Sequence, residues 1–221
     1  MNKEISVVLL GAGKSKRFKS NILKQNYKIK NKSVITYSRE FFRKHFPNTN
    51  IYIVINNKVF INNIHNNEHI IYGSSSRLKS LNSCLDYIHK NKLQTKYTLI
   101  HDVARPILNI KDIQNIIIEI KKNIDGTTLG YPISNAIKEV KKHSVDFNVY
   151  RENLWSTFTP QIFKTNKLYY SIQSCIENKY NIDDDIEALI LNNFKCSMVL
   201  SSPLNIKITY LSDINDIKRL L

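Results

Sequence analysis

An apolar run, Ile5-Ser6-Val7-Val8-Leu9-Leu10, leads directly into Gly11-Ala12-Gly13 and then into cations: Lys14, Lys16, Arg17 and, a few residues on, Lys24, followed by Gln25. This order sharply limits what the chain can fold into. The run predicts a buried strand over 4–10 that delivers the chain to the edge of a sheet. The glycines allow backbone N–H groups to approach an anion closely, and Lys and Arg add full positive charge. Such an order suits the first turn of an α/β nucleotide site. It is not a Walker P-loop, because the G-x-x-x-x-G-K-[ST] spacing is absent, and it is not G-x-G-x-x-G, because the third glycine is missing. A plain strand–turn–helix start with surface lysines accounts for the same residues, so the loop needs support from the rest of the chain.

Periodicity supplies the frame. Helices are predicted near 33–46, 76–89, 111–123, 165–178, 183–192 and from Ser212 onward. Strands are predicted at 51–56, 69–72, 97–100, 126–131, 196–200 and 205–209. Two polar segments, 135–142 and 145–150, flank Lys142-His143-Ser144 and predict an exposed hairpin, too polar for a core. Strands alternating with helices predict an α/β fold of three layers with a mainly parallel sheet, in which ligands sit at the carboxyl ends of strands. No repeat or low-complexity linker divides the 221 residues, so one domain over 1–221 is expected.

Composition narrows the partners. A hydrophobic content of 42% excludes a disordered chain. The formal net charge of +15 points to an anionic partner, although Lys, Asn and Ile all have AT-rich codons and genome drift produces the same excess. No basic run is interleaved with stacking aromatics, so no nucleic-acid partner is expected. Cys84, Cys175 and Cys196 are too few and too far apart for a disulfide framework or a zinc site, which fits a reducing cytoplasm. No segment reaches transmembrane length, and no membrane partner or signal peptide is expected.

Three further clusters fall at predicted strand ends. Gly73-Ser74-Ser75-Ser76-Arg77-Leu78-Lys79-Ser80 is a polar turn opening a helix, suited to an anion, a sugar or plain N-capping. In His101-Asp102-Val103-Ala104-Arg105-Pro106, the carboxylate suits Mg²⁺ or a hydroxyl and Arg105 suits a phosphate; an Asp–Arg pair fixing a turn is the alternative. His101 and Asp102 point opposite ways along a strand, which makes His101 structural. In Asn205-Ile206-Lys207-Ile208-Thr209, Lys207 is either an edge-strand charge or a cation aimed into a site. These clusters offer several cations, one or two acids and no activated nucleophile. That is the equipment of phosphoryl or nucleotidyl transfer, where positioning and charge stabilisation do the catalysis.

In motif order the chain resembles the 2-C-methyl-D-erythritol 4-phosphate cytidylyltransferase family of the non-mevalonate isoprenoid pathway. Gly11 to Lys24 is similar to its nucleotide loop, and Gly73 to Ser80 stands where the family has Gly-Gly-Asp-x-R-x-x-S. His101 to Pro106 matches H-D-x-x-R-P; Arg151-Glu152-Asn153-Leu154-Trp155 with Thr159-Pro160-Gln161-Ile162-Phe163 matches R-x-x-L-W…T-P-Q-x-F; Asn205 to Thr209 matches N-I-K-[VI]-T. The resemblance runs nearly end to end. It implies an α/β/α sandwich with a Rossmann-like sheet and a β-arm, here at about 134–153, that clasps a second subunit as a homodimer. It implies that CTP and methylerythritol phosphate are joined with Mg²⁺, releasing pyrophosphate.

By position, the resemblance implies that Arg17 and Lys24 grip the CTP phosphates and that Lys207 touches the attacking phosphate and the α-phosphate. Leu10, Gly11, Ala12, Gly13, Gly73 and Ser80 would hold the nucleoside. Asp102 would serve the ribose or metal region and is the one candidate protein contact for a metal. Arg105 would serve the acceptor, and Arg151 the acceptor phosphate of the neighbouring subunit. The chain also departs from the pattern. Leu10-Gly11-Ala12-Gly13 replaces Pro-Ala-Ala-Gly, Leu23 replaces a Pro, Ser75 replaces the acid of the second turn, and Ala136 and Asp183 stand where the family aims two threonines at the alcohol phosphate. A pentitol-phosphate cytidylyltransferase, for instance one using ribitol 5-phosphate, and a degenerate non-catalytic nucleotide binder are the alternatives.

Overall fold

The computed structural model describes residues 4–221. Its strands are β1 (Ile5–Gly11), β2 (Lys28–Ile29), β3 (Lys32–Ser33), β4 (Ile51–Ile55), β5 (Glu68–Tyr72), β6 (Tyr97–Asp102), β7 (Gly126–Pro132), β8 (Ile137–Lys141), β9 (Ser144–Val149), β10 (Trp155–Lys164) and β11 (Cys196–Leu200). Its helices are α1 (Val34–His45), α2 (Arg77–Lys90), α3 (Ile110–Glu119), α4 (Thr165–Glu177), α5 (Asp185–Leu191) and α6 (Asp213–Leu220).

Side-chain alternation in β1 and β4 sets the layers. Val7 and Leu9 join Ile51, Ile53 and Ile55 in one buried cluster, while Val8 and Leu10 join Tyr52 and Val54 in another. Strands buried on both faces read as unbroken apolar runs, as these do. The first cluster is closed by α1, through Ile35 and Phe42, and by α3, through Ile113, Ile116 and Ile117. The second is closed by Leu81 and Leu85 of α2, Leu168 and Ile172 of α4, and Leu189 of α5. The result is helix, sheet, helix, as the alternation predicted.

The sheet order is β11-β7-β10-β6-β1-β4-β5. Its pairings are parallel except those of β10, which runs antiparallel to both β6 and β7. Sequence reading misses β10, because Pro160 sits inside it and lacks a ladder N–H. The structure accommodates it with a register shift between Phe158 and Gln161. The strand expected at 205–209 does not form. Ile208 N donates to Ala104 O at 2.8 Å and Asn205 Nδ2 to Thr159 O at 2.9 Å, so isolated bonds hold this segment in place of a ladder. Its alternation is real but serves a small third cluster, in which Ile208 packs with Phe18, Ile29, Val34, Ile214 and Ile217.

In the parallel part, Leu10 pairs with Asp102, Gly11 with Ile55, and Ile55 with Tyr72, so β6, β1, β4 and β5 end level. The predicted polar hairpin is β8–β9. Its turn residues Lys142 and His143 take φ of 47° and 69°, and it carries exposed Val140, Val145 and Phe147.

Candidate active site

The level strand ends open onto a cleft of about 340 Å³. Of the residues nominated from the sequence, Leu10, Ala12, Gly13, Arg17, Lys24, Ser80, Asp102 and Lys207 line it. Gly11 and Gly73 are not among its lining residues. A Cβ on Gly73 would overlap Ala12 Cβ and come within 2.9 Å of Ser80 Oγ, so the two loops touch only because Gly73 has no side chain. Gly13 differs: the nearest atom to its Cβ position, Gln25 Nε2, is 3.9 Å away. No glycine among the described residues has a positive φ; the left-handed turns of this loop fall on Ser15 (53°) and Lys19 (47°). Here the glycines provide room for close approach, not a reversed backbone.

Gln25 fixes the loop. It is buried, its Nε2 donates to Gly11 O at 2.7 Å and Gly13 O at 2.9 Å, and its Oε1 accepts from Ser15 Oγ at 3.1 Å. Sequence reasoning noted the residue beside Lys24 but gave it no role. Beyond Ser15, Lys16–Phe18 form a single 3₁₀ turn. Phe18 drops into the third cluster with Ile208, so the segments bearing Arg17 and Lys207 are packed together. Asp213 Oδ2, at the start of α6, accepts from Thr209 N at 2.7 Å and Tyr210 N at 2.8 Å and anchors the far side of Lys207.

Charge is concentrated around Asp102. Lys207 Nζ donates to its Oδ2 at 2.6 Å, and Arg77 Nε reaches its Oδ1 at 3.4 Å. Burial opposes ionisation of Asp102, but Arg77 and Lys207 outweigh it and hold the carboxyl well below the usual range. Lys24 Nζ donates to Ile208 O at 2.8 Å. Burial, with Lys207 and Arg17 nearby, pushes Lys24 down to about 8 against the opposing pull of Asp102. Ser80 Oγ is occupied in shaping its own turn, accepting from Ser74 N at 2.9 Å and donating to Ser76 O at 2.7 Å.

His101 is structural, as expected. It is fully buried, and burial pushes it down to about 4. Its Nε2 lies 3.0 Å from Arg105 O, which can only accept, so Nε2 carries the proton and Nδ1 accepts from Thr159 Oγ1 at 3.3 Å. Thr159 Oγ1 in turn accepts from Asp102 N at 3.0 Å. The T-P-Q segment thereby fixes the end of β6.

A second, smaller cleft of about 190 Å³ adjoins the first. Arg77, Asp102 and Lys207 line both. Arg105, Thr157, Gln161 and Asp183 line the second only. Arg105 NH1 is held by Asn205 O at 2.6 Å. Ala136 and Arg151 line neither cleft: both are exposed at the two ends of the β8–β9 arm. Arg77 is the charged residue that sequence reasoning missed. In the sequence it is one polar residue of the Gly73–Ser80 turn, and its partners Asp102 and Asp185 are distant. No group of three or more His, Cys, Asp or Glu gathers as a metal cage among the described residues. Asp102 is the one carboxylate lining both clefts beside the cations.

Two adjoining clefts sharing a lysine and a carboxylate, with a cation-rich glycine loop on one side, are the geometry of a group-transfer site. The sequence profile of the IspD family, 2-C-methyl-D-erythritol 4-phosphate cytidylyltransferase, matches residues 5–221. The chain belongs to this family. Curated relatives of that name include one from Buchnera aphidicola subsp. Acyrthosiphon pisum, 31% identical over 96% of this chain and 90% of that protein. Another, from Clostridioides difficile, is 30% identical over 98% and 93%. The crystal structure of the Francisella tularensis 2-C-methyl-D-erythritol 4-phosphate cytidylyltransferase superposes with a TM-score of 0.85 at 25% identity, covering 99% of this chain and 100% of that one. As an IspD family member, the chain is a nucleotidyltransferase of the cytidylyltransferase kind. Neither the pentitol-phosphate reading nor the non-catalytic one is favoured.

Proposed function

We propose that this chain joins CTP to 2-C-methyl-D-erythritol 4-phosphate, giving the CDP-alcohol and pyrophosphate. The observation that carries the proposal is the wall shared by the two clefts, where Lys207 and Asp102 face both spaces. CTP occupies the larger cleft and the alcohol phosphate the smaller. An acceptor phosphate oxygen attacks the α-phosphorus, one P–O bond forms, and the α–β anhydride bond breaks as pyrophosphate leaves. A phosphate monoester is already largely ionised at neutral pH, with a second pKa of about 6, so the attack needs no general base. Arg17 and Lys24 hold the triphosphate, and Lys207 offsets charge where the two phosphates meet. Arg105 orients the acceptor.

Mg²⁺ fits this site if the triphosphate supplies most of its oxygens, with Asp102 as its one protein ligand. Such sparse protein ligation is usual for Mg²⁺ on nucleotides. When bound, it neutralises phosphate charge.

The chain works as a homodimer in which the β8–β9 arm carries Arg151 to the neighbour's smaller cleft. The exposed apolar side chains of the arm, and the exposure of Arg151 outside the lining of both clefts, support this. We place the enzyme in a reducing cytoplasm; its three cysteines are unpaired. The whole of 1–221 acts as one catalytic unit. The test is pyrophosphate release from CTP with methylerythritol 4-phosphate, ribitol 5-phosphate and glycerol 3-phosphate in parallel. Preference for the first is expected; preference for ribitol 5-phosphate would replace the acceptor, and no release with any would remove the activity.

A further inference from the structure

Arg77 stands between two carboxylates and divides itself unequally. NH1 and NH2 donate to the two oxygens of Asp185 at 2.5 and 2.8 Å, whereas Nε reaches Asp102 at only 3.4 Å. Asp185 is the first residue of α5, fully buried, and lines neither cleft. Charges therefore alternate along one row: Asp185, Arg77, Asp102, Lys207. A guanidinium released from Asp185 has its fork free, and the adjacent carboxylate is Asp102. Two-pronged pairing there would draw Asp102 away from Lys207. Asp184 is not free to replace Asp185. Its Oδ2 accepts from Thr157 Oγ1 at 3.1 Å and Gln161 Nε2 at 3.0 Å, and its Oδ1 caps α5 by accepting from Glu187 N at 3.0 Å.

We propose that Asp185 is a positioning residue for Lys207: by occupying the Arg77 fork, it leaves Asp102 to hold Lys207 at the wall shared by the two clefts. The inference rests on the reading of Lys207 as the cation at the reacting phosphates.

Asp185→Asn keeps the shape and removes the charge. Misplacing a catalytic group from a distance costs up to about 10²-fold, so kcat is expected to fall by about 10–100-fold with a much smaller change in KM for CTP. Asp185→Glu, which restores the carboxylate, is expected to recover much of that loss. Asp185→Asn is then combined with Lys207→Ala and followed by single-turnover pyrophosphate release. Because the positioned group is gone, Asp185→Asn should cost nothing further in that background. An equal loss in both backgrounds, or an unchanged kcat in the single variant, overturns the proposal. Should Asp185→Asn not fold, Arg77→Lys keeps the charge and loses the fork; it too should be silent beside Lys207→Ala, and an additive loss overturns the proposal. Failure of the functional reading looks different. The unsubstituted protein would then release no pyrophosphate with any acceptor, and both would fall.

Discussion

Lys207 donates to Asp102 Oδ2 at 2.6 Å across 105 residues of sequence, and the pair stands where the two clefts meet. Asp102 therefore holds Lys207 in place, and under the proposed function substrate phosphates compete for it. On the proposed function, Lys207→Ala removes a charge aimed at the transition state, and loss of one such contact typically costs about 10²–10³-fold in kcat. Steady-state pyrophosphate release measures it. Near-normal turnover would remove Lys207 from the chemistry.

Lys24 titrates at about 8, because burial and nearby cations disfavour its charge. Below that pH it is an ammonium able to hold a triphosphate; above it the charge is lost. kcat/KM for CTP is therefore expected to fall as pH rises through about 8, since this ratio reports the free enzyme. Bound phosphates favour the ammonium, so the alkaline limb of kcat should lie higher. Lys24→Arg keeps its charge throughout this range and should abolish the limb. A limb unchanged in Lys24→Arg would assign it to another group.

The layers and the nucleotide loop were legible in the sequence because both rest on local patterns. Val7, Val8, Leu9 and Leu10 read as a doubly buried strand, and Gly11 to Lys24 read as a loop at its end. β10 was not legible, since Pro160 interrupts the pattern that would mark it and only pairing with β6 and β7 stabilises it. Ile206 and Ile208 read as strand residues because alternation reports burial, and here burial comes from a side cluster, not a sheet. Gln25 and Arg77 acquired roles only from partners that sequence spacing cannot locate: two loop carbonyls for one, and Asp185, 108 residues away, for the other.

The two loop glycines should separate on substitution. Gly73→Ala forces a Cβ against Ala12 and Ser80. Overpacking of this kind costs about 1–3 kcal/mol, so the variant should melt at a lower temperature. In Gly13→Ala the new Cβ meets only an ordinary van der Waals contact, Gln25 Nε2 at 3.9 Å, and the variant should melt normally. It should nevertheless bind CTP poorly if the nucleotide sits against this loop, because Gly13 lines the cleft and a methyl group there narrows the approach to its backbone. Thermal melts with and without CTP test both. Equal CTP stabilisation of Gly13→Ala and the parent would place the nucleotide elsewhere.

Asp183 puts a negative charge in the smaller cleft, where an acceptor phosphate is proposed to sit. Like charges about 4 Å apart in water repel by about 1 kcal/mol. Asp183→Thr should therefore lower KM for the acceptor roughly fivefold. KM for CTP should stay unchanged. An unaltered acceptor KM would mean that Asp183 faces away from the phosphate.

Arg151 provides a test of shared sites. It is exposed at the end of an arm whose Val145 and Phe147 are 61% and 51% exposed, and it lines neither cleft of its own chain. If it serves the neighbouring subunit, Arg151→Ala and Lys24→Ala homodimers should each be nearly inactive for different reasons. After mixing and subunit exchange, each heterodimer contains one site with both residues intact. Random pairing of equal amounts makes half the dimers heterodimeric, so about one quarter of the parent activity should return. Residues acting on their own chain cannot complement in this way, and no recovery after verified exchange would place Arg151 outside the neighbour's site. The double variant Val145→Asp, Phe147→Asp supplies the control: if this face clasps a second subunit, charge on it should yield monomers by analytical ultracentrifugation, and mixtures of such variants should recover nothing.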